Sequence, residues 1–146
     1  MRIVVISDTH GDSDVARKIF LREEKSDVFL HAGDVVSMPS EIVPFIAIRG
    51  NCDMFYPQYP SHFEMETEYG KLYIQHYPKS LSELNDLKKN GVKIFIHGHT
   101  HVKEIKEYDG ITVLCPGSAS RPRDDYESYM VITTYKDKID VQFKKV

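Results

Sequence analysis

Five short apolar runs in this 146-residue chain each end in side chains that could hold a metal ion. Ile3–Ile6 leads into Asp8, His10 and Gly11. Val28–Leu30 leads into His31, Gly33 and Asp34. Phe45–Ile48 leads into Gly50, Asn51, Cys52 and Asp53. Leu72–Ile74 leads into His76, and Ile94–Ile96 into His97, Gly98, His99 and His101. In open α/β sheets ligands bind in the crevice beyond the carboxyl ends of strands. If the five runs are neighbouring strands, their ends converge on one site. Residues i and i+2 of an extended chain point to the same side, so Asp8 and His10 can aim at one point, as can His99 and His101. The converging donors are then Asp8, His10, Asp34, Asn51, His76, His99 and His101. That is too many for one tetrahedral ion, but it suits two ions sharing a carboxylate, ~3.5–4 Å apart as in two-metal hydrolytic sites. Asp34 and a hydroxide are the natural bridges. Two divalent cations, two carboxylates and a hydroxide leave about one positive charge, which draws a phosphate ester and steadies its transition state. A mixed imidazole and carboxylate set suits manganese, iron, nickel or zinc better than calcium.

The other reactive residues read less sharply. His31 and His97 stand just before ligand candidates, either as core histidines or as groups that orient a ligand. His62 sits in an alternating strand and joins no motif. Phe55–Pro60 is rich in tyrosine and forms either a cleft wall or a surface loop packed by its own rings. Arg121 and Arg123 read as a solvated loop, with phosphate binding as the sharper alternative.

These positions need a scaffold, and the pattern supplies one. A helix is expected from Ser13 to Lys25, capped by Asp12 or Ser13 and turning Val15, Ile19 and Phe20 inward. His62–Tyr69 alternates apolar and polar residues and pairs with Leu72–Ile74 across a turn at Gly70-Lys71. Ser80 and Glu83 form a capping box for a second helix, with Leu81, Leu84 and Leu87 inward and Asn90-Gly91 at its end. Val92–Ile96 is a strand. Asp109-Gly110 joins Val102–Tyr108 to Ile111–Leu114 as a hairpin. Tyr129–Thr134 and Ile139–Phe143 complete a mixed α/β domain, with sheets covered by helices.

Composition excludes several classes. Hydrophobic residues make up 41% and charged residues 28%, a globular balance. The length fits one domain, residues 1–146, large enough to stand without staples. A net charge of −3 argues against a strongly basic nucleic-acid or membrane binder. No run reaches the ~18–20 residues of a membrane span, and a strand follows Met1 and Arg2 where a signal peptide would place its apolar region. The two cysteines, Cys52 and Cys115, form no C-x-x-C pattern, which fits the cytoplasm.

At Asp8-x-His10, Gly33-Asp34, Gly50-Asn51-x-Asp53, His76 and Gly98-His99-x-His101 the chain resembles the calcineurin-like metallophosphoesterases. Pro116-Gly117-Ser118, followed by Arg121 and Arg123, resembles the small single-domain branch. The resemblance implies a two-sheet β-sandwich flanked by helices, in four layers α/β/β/α. It implies two divalent transition-metal ions, manganese first, one held by Asp8, His10, Asp34 and His101 and the other by Asp34, Asn51, His76 and His99. It places Asp34, Asn51, Cys52 and Asp53 in the catalytic group and implies in-line attack on phosphorus by a metal-bridging hydroxide. Cys52 stands where much of the family has a leaving-group histidine, and the relatives that share a cysteine there look more like phosphodiesterases than monoesterases. Asp53 thereby loses the histidine it would orient. Tyr77-Pro78 follows His76 where glycine is common, and Cys115 replaces a commoner asparagine. The expected partner is a small phosphodiester, with no nucleic-acid polymer and no membrane, and exposed strand edges would permit a homo-oligomer. The alternatives are a phosphomonoesterase, or a protein-binding scaffold of the same fold.

Overall fold

The computed structural model describes residues 1–146. Ten strands form two five-stranded sheets. In chain order they are β1 (Arg2–Ile6), β2 (Val28–His31), β3 (Ile46–Ala47), β4 (His62–Glu66), β5 (Lys71–Gln75), β6 (Val92–Ile96), β7 (Lys103–Tyr108), β8 (Ile111–Pro116), β9 (Ser128–Thr134) and β10 (Ile139–Lys145). The first sheet runs β10-β9-β1-β2-β3 and the second β4-β5-β6-β8-β7. Each contains a parallel trio, β1-β2-β3 in one and β5-β6-β8 in the other. Antiparallel strands flank both trios.

The core explains the layering. β1 and β2 are nearly continuous apolar runs because both of their faces are covered. Ile3, Val5 and Leu30 meet Leu72, Ile74, Ile94 and Ile96 between the sheets. On the outer face of the first sheet, Val4 and Ile6 pack on Ala16 and Ile19 of α1 (Ser13–Arg22). On the outer face of the second, Phe95, Ile111 and Val113 pack on Leu84 of α2 (Leu81–Lys89). The result is the expected sandwich flanked by helices. No helix is long and apolar enough to cross a membrane.

Local signals account for most boundaries. Asp12 caps α1 by accepting from the Val15 amide at 3.1 Å. Ser80 and Glu83 cap α2 reciprocally. Asp109 and Gly110, both with positive φ, make the two-residue turn between β7 and β8. Three expectations need correction. α1 ends at Arg22, because the Glu23 amide closes the last turn and Glu23 then leaves the helix to pair with Arg2 and Lys144. The β4–β5 turn comprises Thr67 to Gly70, with Lys71 already in the strand. Leu81 is 66% exposed, and α2 is seated through Leu84, 4% exposed, with Leu87 partly buried against the same cluster.

Candidate metal centre

The loops after β1, β2, β3, β5 and β6 meet at one end of the sandwich, where the carboxyl ends of both trios point. A sixth contribution comes from the segment after β8. Donor atoms of Asp8, His10, Asp34 and His101 all lie within 4.8 Å of one another. His10 Nε2 lies 3.7 Å from Asp34 Oδ2 and 3.8 Å from Asp8 Oδ1, and His101 Nε2 lies 3.1 Å from Asp8 Oδ1. Beside them, Asn51 Oδ1 lies 2.9 Å from His76 Nε2 and 3.1 Å from His99 Nδ1. His76 Nε2 is also 3.4 Å from Asp34 Oδ2. Asp34 therefore touches both groups.

Several contacts suit a cation held among them. Asp8 is fully buried, and its Oδ1 accepts no hydrogen bond although His101 Nε2 lies 3.1 Å away. His101 Nδ1–H donates to the Arg121 carbonyl at 2.6 Å, which leaves Nε2 as a bare lone pair facing Asp8 Oδ1 and, at 3.3 Å, His10 Nε2. His76 Nδ1–H donates likewise to the Ala32 carbonyl at 2.8 Å, so its Nε2 faces two oxygen acceptors and needs either a proton or a metal ion between them. Facing acceptors at these distances repel unless a proton or a metal ion sits among them. The donor set fits two divalent cations on these grounds.

Burial lowers the His76 imidazole, but its hydrogen bond to Asp34 outweighs that and raises it. Burial pushes Asp34 up, but the His76 imidazole and the Cys52 amide outweigh it and hold the carboxyl down at about 2. Burial raises Asp8 and lowers His10 and His99. Burial also pushes the Cys52 thiol up, and the Asp34 carboxylate adds to the shift.

The backbone that aims these groups is not the extended chain that the i, i+2 spacing suggested. Asp8, His10, Asp34, His99 and His101 all have positive φ, between 48° and 70°. Left-handed turns, not strand pleats, swing each pair toward one point. Asp8 and Asp34 begin this just past β1 and β2, where the Asp8 amide donates to the Gly33 carbonyl and the His10 amide to the Asp34 carbonyl. Gly50 is required by close approach, since a Cβ there would lie 2.1 Å from Asp34 Oδ1 and 2.3 Å from the Asp34 amide nitrogen.

Asp53 departs from its expected place in the catalytic group. It is fully buried and accepts from the Gly50, Val35 and Val36 amides at 2.7, 3.2 and 2.8 Å. It is a positioning residue that ties the Asn51 loop to the Asp34 loop. Cys52 is exposed on the cleft wall, and its amide donates to Asp34 Oδ1 at 2.8 Å. His31 braces the loops after β1 and β2 through the Thr9 hydroxyl and the Gly33 amide. His97 bonds the Gly98 carbonyl and Glu104. His62 stacks on Tyr73 and bonds Ser61, touching none of the candidate ligands. Tyr56 packs on Tyr59, which is buried in the core on the α1 side and donates its hydroxyl to the Ser37 carbonyl, so that segment is anchored to the body of the protein and does not wall the cleft.

Sequence reasoning missed the roles of Ser7, Ser118 and Ser120. Ser7 donates to Asp8 Oδ2, while Ser118 and Ser120 donate to the Asp8 carbonyl at 2.8 and 3.0 Å. Only the Pro-Gly-Ser run at the end of β8 hinted at them.

Imidazole and carboxylate donors gathered beyond the strand ends of a two-sheet sandwich form the architecture of a metallophosphoesterase. The chain belongs to the calcineurin-like phosphoesterase superfamily, whose domain model matches residues 1–138. A probable metallophosphoesterase of Methanothermobacter thermautotrophicus is 31% identical, over 97% of this chain and 91% of that protein. Among solved structures, a conserved uncharacterized protein from Streptococcus pneumoniae TIGR4, a predicted phosphoesterase, superposes with a TM-score of 0.85 at 26% identity, covering 99% of this chain and 88% of that one. An archaeal phosphodiesterase shares the fold at a TM-score of 0.74 and 22% identity, over 99% and 100% of the two chains. Vps29 from Chaetomium thermophilum does so at 0.75 and 18%, over 100% and 95%.

Proposed function

We propose that the chain hydrolyses phosphoesters at a dinuclear metal centre, with phosphodiesters as its preferred class and manganese as its first metal. The carrying observation is Asp34, whose carboxylate lies against both donor groups at once. Asp8, His10, Asp34 and His101 would hold one ion, and Asp34, Asn51, His76 and His99 the other. When bound, such ions polarise the phosphoryl oxygens and make a coordinated water acidic enough to ionise near neutral pH. The protein's own residues prepare that chemistry. The Ala32 and Arg121 carbonyls fix the tautomers of His76 and His101 so that Nε2 faces inward. Asp34 is held ionised. Asp53 and Gly50 hold the Asn51 loop at its distance from Asp34.

Support for diesters comes from Cys52, which takes the place of the leaving-group histidine as in the small branch, and from the archaeal phosphodiesterase of the same fold. The Vps29 likeness favours a second role, a protein-docking scaffold. Against that role stands a donor set with no position lost. The free cysteines suit the cytoplasm as the proposed location.

The test pairs manganese-dependent hydrolysis of a chromogenic diester and monoester with the Asp34→Asn variant. Wild-type turnover should favour the diester, and Asp34→Asn should abolish it while melting like the parent in the absence of metal. Metal-dependent turnover persisting in that variant would sink the shared-carboxylate reading. Metal-loaded protein inert on every phosphoester, yet retaining a protein partner, would transfer the assignment to the scaffold.

A further inference from the structure

Arg121 and Arg123 line the cleft of about 490 Å³ that also exposes His10, Asp34, Asn51, Cys52, His99 and His101. Neither guanidinium is engaged within the protein. The hydrogen bonds of both residues are main-chain ones, and neither takes part in an ion pair. The nearest acidic residues along the chain are already taken, since Asp124 and Asp125 both pair with Lys103. Free cations side by side are not the default in a chain of net charge −3.

The segment that carries them is fixed to the metal centre. The Arg121 amide donates to Ser118 Oγ at 2.8 Å, the Arg121 carbonyl accepts from His101 Nδ1 at 2.6 Å, and the Arg123 amide donates to the His101 carbonyl at 2.9 Å. Both arginines thus stand on a braced support beside the group of donors that includes His10 and His101.

The charge count gives them a use. Two divalent cations, the Asp8 and Asp34 carboxylates and a hydroxide leave about one positive charge, which a simple diester monoanion neutralises. Two guanidinium groups are surplus to that balance. Their planar forks match phosphate geometry.

We propose that Arg121 and Arg123 form a subsite for a second phosphate group, so that the substrate carries a phosphate besides the phosphoryl centre that is attacked. The proposal rests on the phosphoesterase reading and refines it from phosphodiesters in general to those with a further anionic arm.

The experiment measures calorimetric binding of adenosine 5′-monophosphate and adenosine 3′,5′-bisphosphate to manganese-loaded protein. It compares wild type with the Arg121→Gln/Arg123→Gln and Arg121→Lys/Arg123→Lys variants. Wild type should bind the bisphosphate roughly tenfold to a hundredfold more tightly than the monophosphate, as two charge-assisted contacts allow. The glutamine variant should lose that ratio, and the lysine variant should keep part of it. Equal affinities in wild type, or a ratio that survives the glutamine variant, would overturn the subsite. Hydrolysis of the chromogenic diester reports separately on the reading beneath it. Turnover with equal affinities removes the subsite alone. A bisphosphate preference without turnover keeps the subsite and removes the hydrolase.

Discussion

Single residues at the centre are held in conformations they would not choose. Positive φ at a non-glycine residue costs on the order of 1–3 kcal/mol and persists only where the surroundings impose it. Of the seven non-glycine residues with positive φ, five are candidate ligands. The surroundings are visible: Ser118 and Ser120 grip the Asp8 carbonyl, and Asp53 grips three amides between the Asp34 and Asn51 loops. Gly50 tests this support. A methyl at Gly50 collides with Asp34 backbone and side chain together, so neither can yield alone. Gly50→Ala should weaken manganese binding at least ~10-fold, about 1.4 kcal/mol, by isothermal titration. Manganese affinity equal to wild type would show that the loop has slack. The candidate ligands themselves were legible in the sequence because Asp, Asn and His recur at strand ends. The reason given for their convergence was not, since left-handed turns after β1, β2 and β6 do what extended spacing was expected to do. Asp53 was misplaced because a carboxylate that accepts backbone amides looks the same in sequence as one that faces a ligand.

At the scale of elements, turn and cap chemistry read through cleanly. The Ser80–Glu83 box and the Asp109-Gly110 hairpin are local, so no tertiary contact overrides them. The inward face of α2 is a tertiary choice, and here spacing alone misled. Leu81, Leu84 and Leu87 lie on one side of an ideal helix, but α2 begins at Leu81, and its first turn projects beyond the edge of the Phe95 cluster. Leu84→Ala should cost about 2–5 kcal/mol, as core truncations do, and Leu81→Ala within ~0.5 kcal/mol of nothing. Urea unfolding of the pair checks this. Equal losses would mean that the first turn of α2 is covered in solution.

For the molecule as a whole, acid is the weak direction. His31 is wholly buried, and desolvation drops its imidazole to about 3. The unfolded chain takes up a proton near the ordinary 6.5, while the folded chain does not until far lower. The unfolded state binds more protons between those values, so stability is intact above pH 6.5 and falls steadily toward pH 3. Glu23 adds to the loss lower down. Burial opposes its ionisation, but Lys144, Arg2 and Tyr129 hold it below its ordinary range, so its contribution disappears as the carboxyl protonates. His31→Asn should therefore flatten the fall in unfolding free energy between pH 6.5 and 4, by up to about 1.4 kcal/mol per pH unit. An unchanged slope in guanidinium melts would assign the acid sensitivity elsewhere.

The donors divide unevenly across the sandwich. Asp8, His10, Asp34 and Asn51 follow strands of one sheet, while His76, His99 and His101 follow strands of the other. A cation gripped by both sets would act as a rivet through the seam, adding a clasp at one end of a sandwich otherwise closed by greasy side chains. Manganese should then raise the melting temperature of the wild-type protein in proportion to the logarithm of its concentration once above the dissociation constant. Chelation should reverse the gain, and Asp34→Asn should feel little of either. The same rivet makes prying the halves apart and emptying the site a single event.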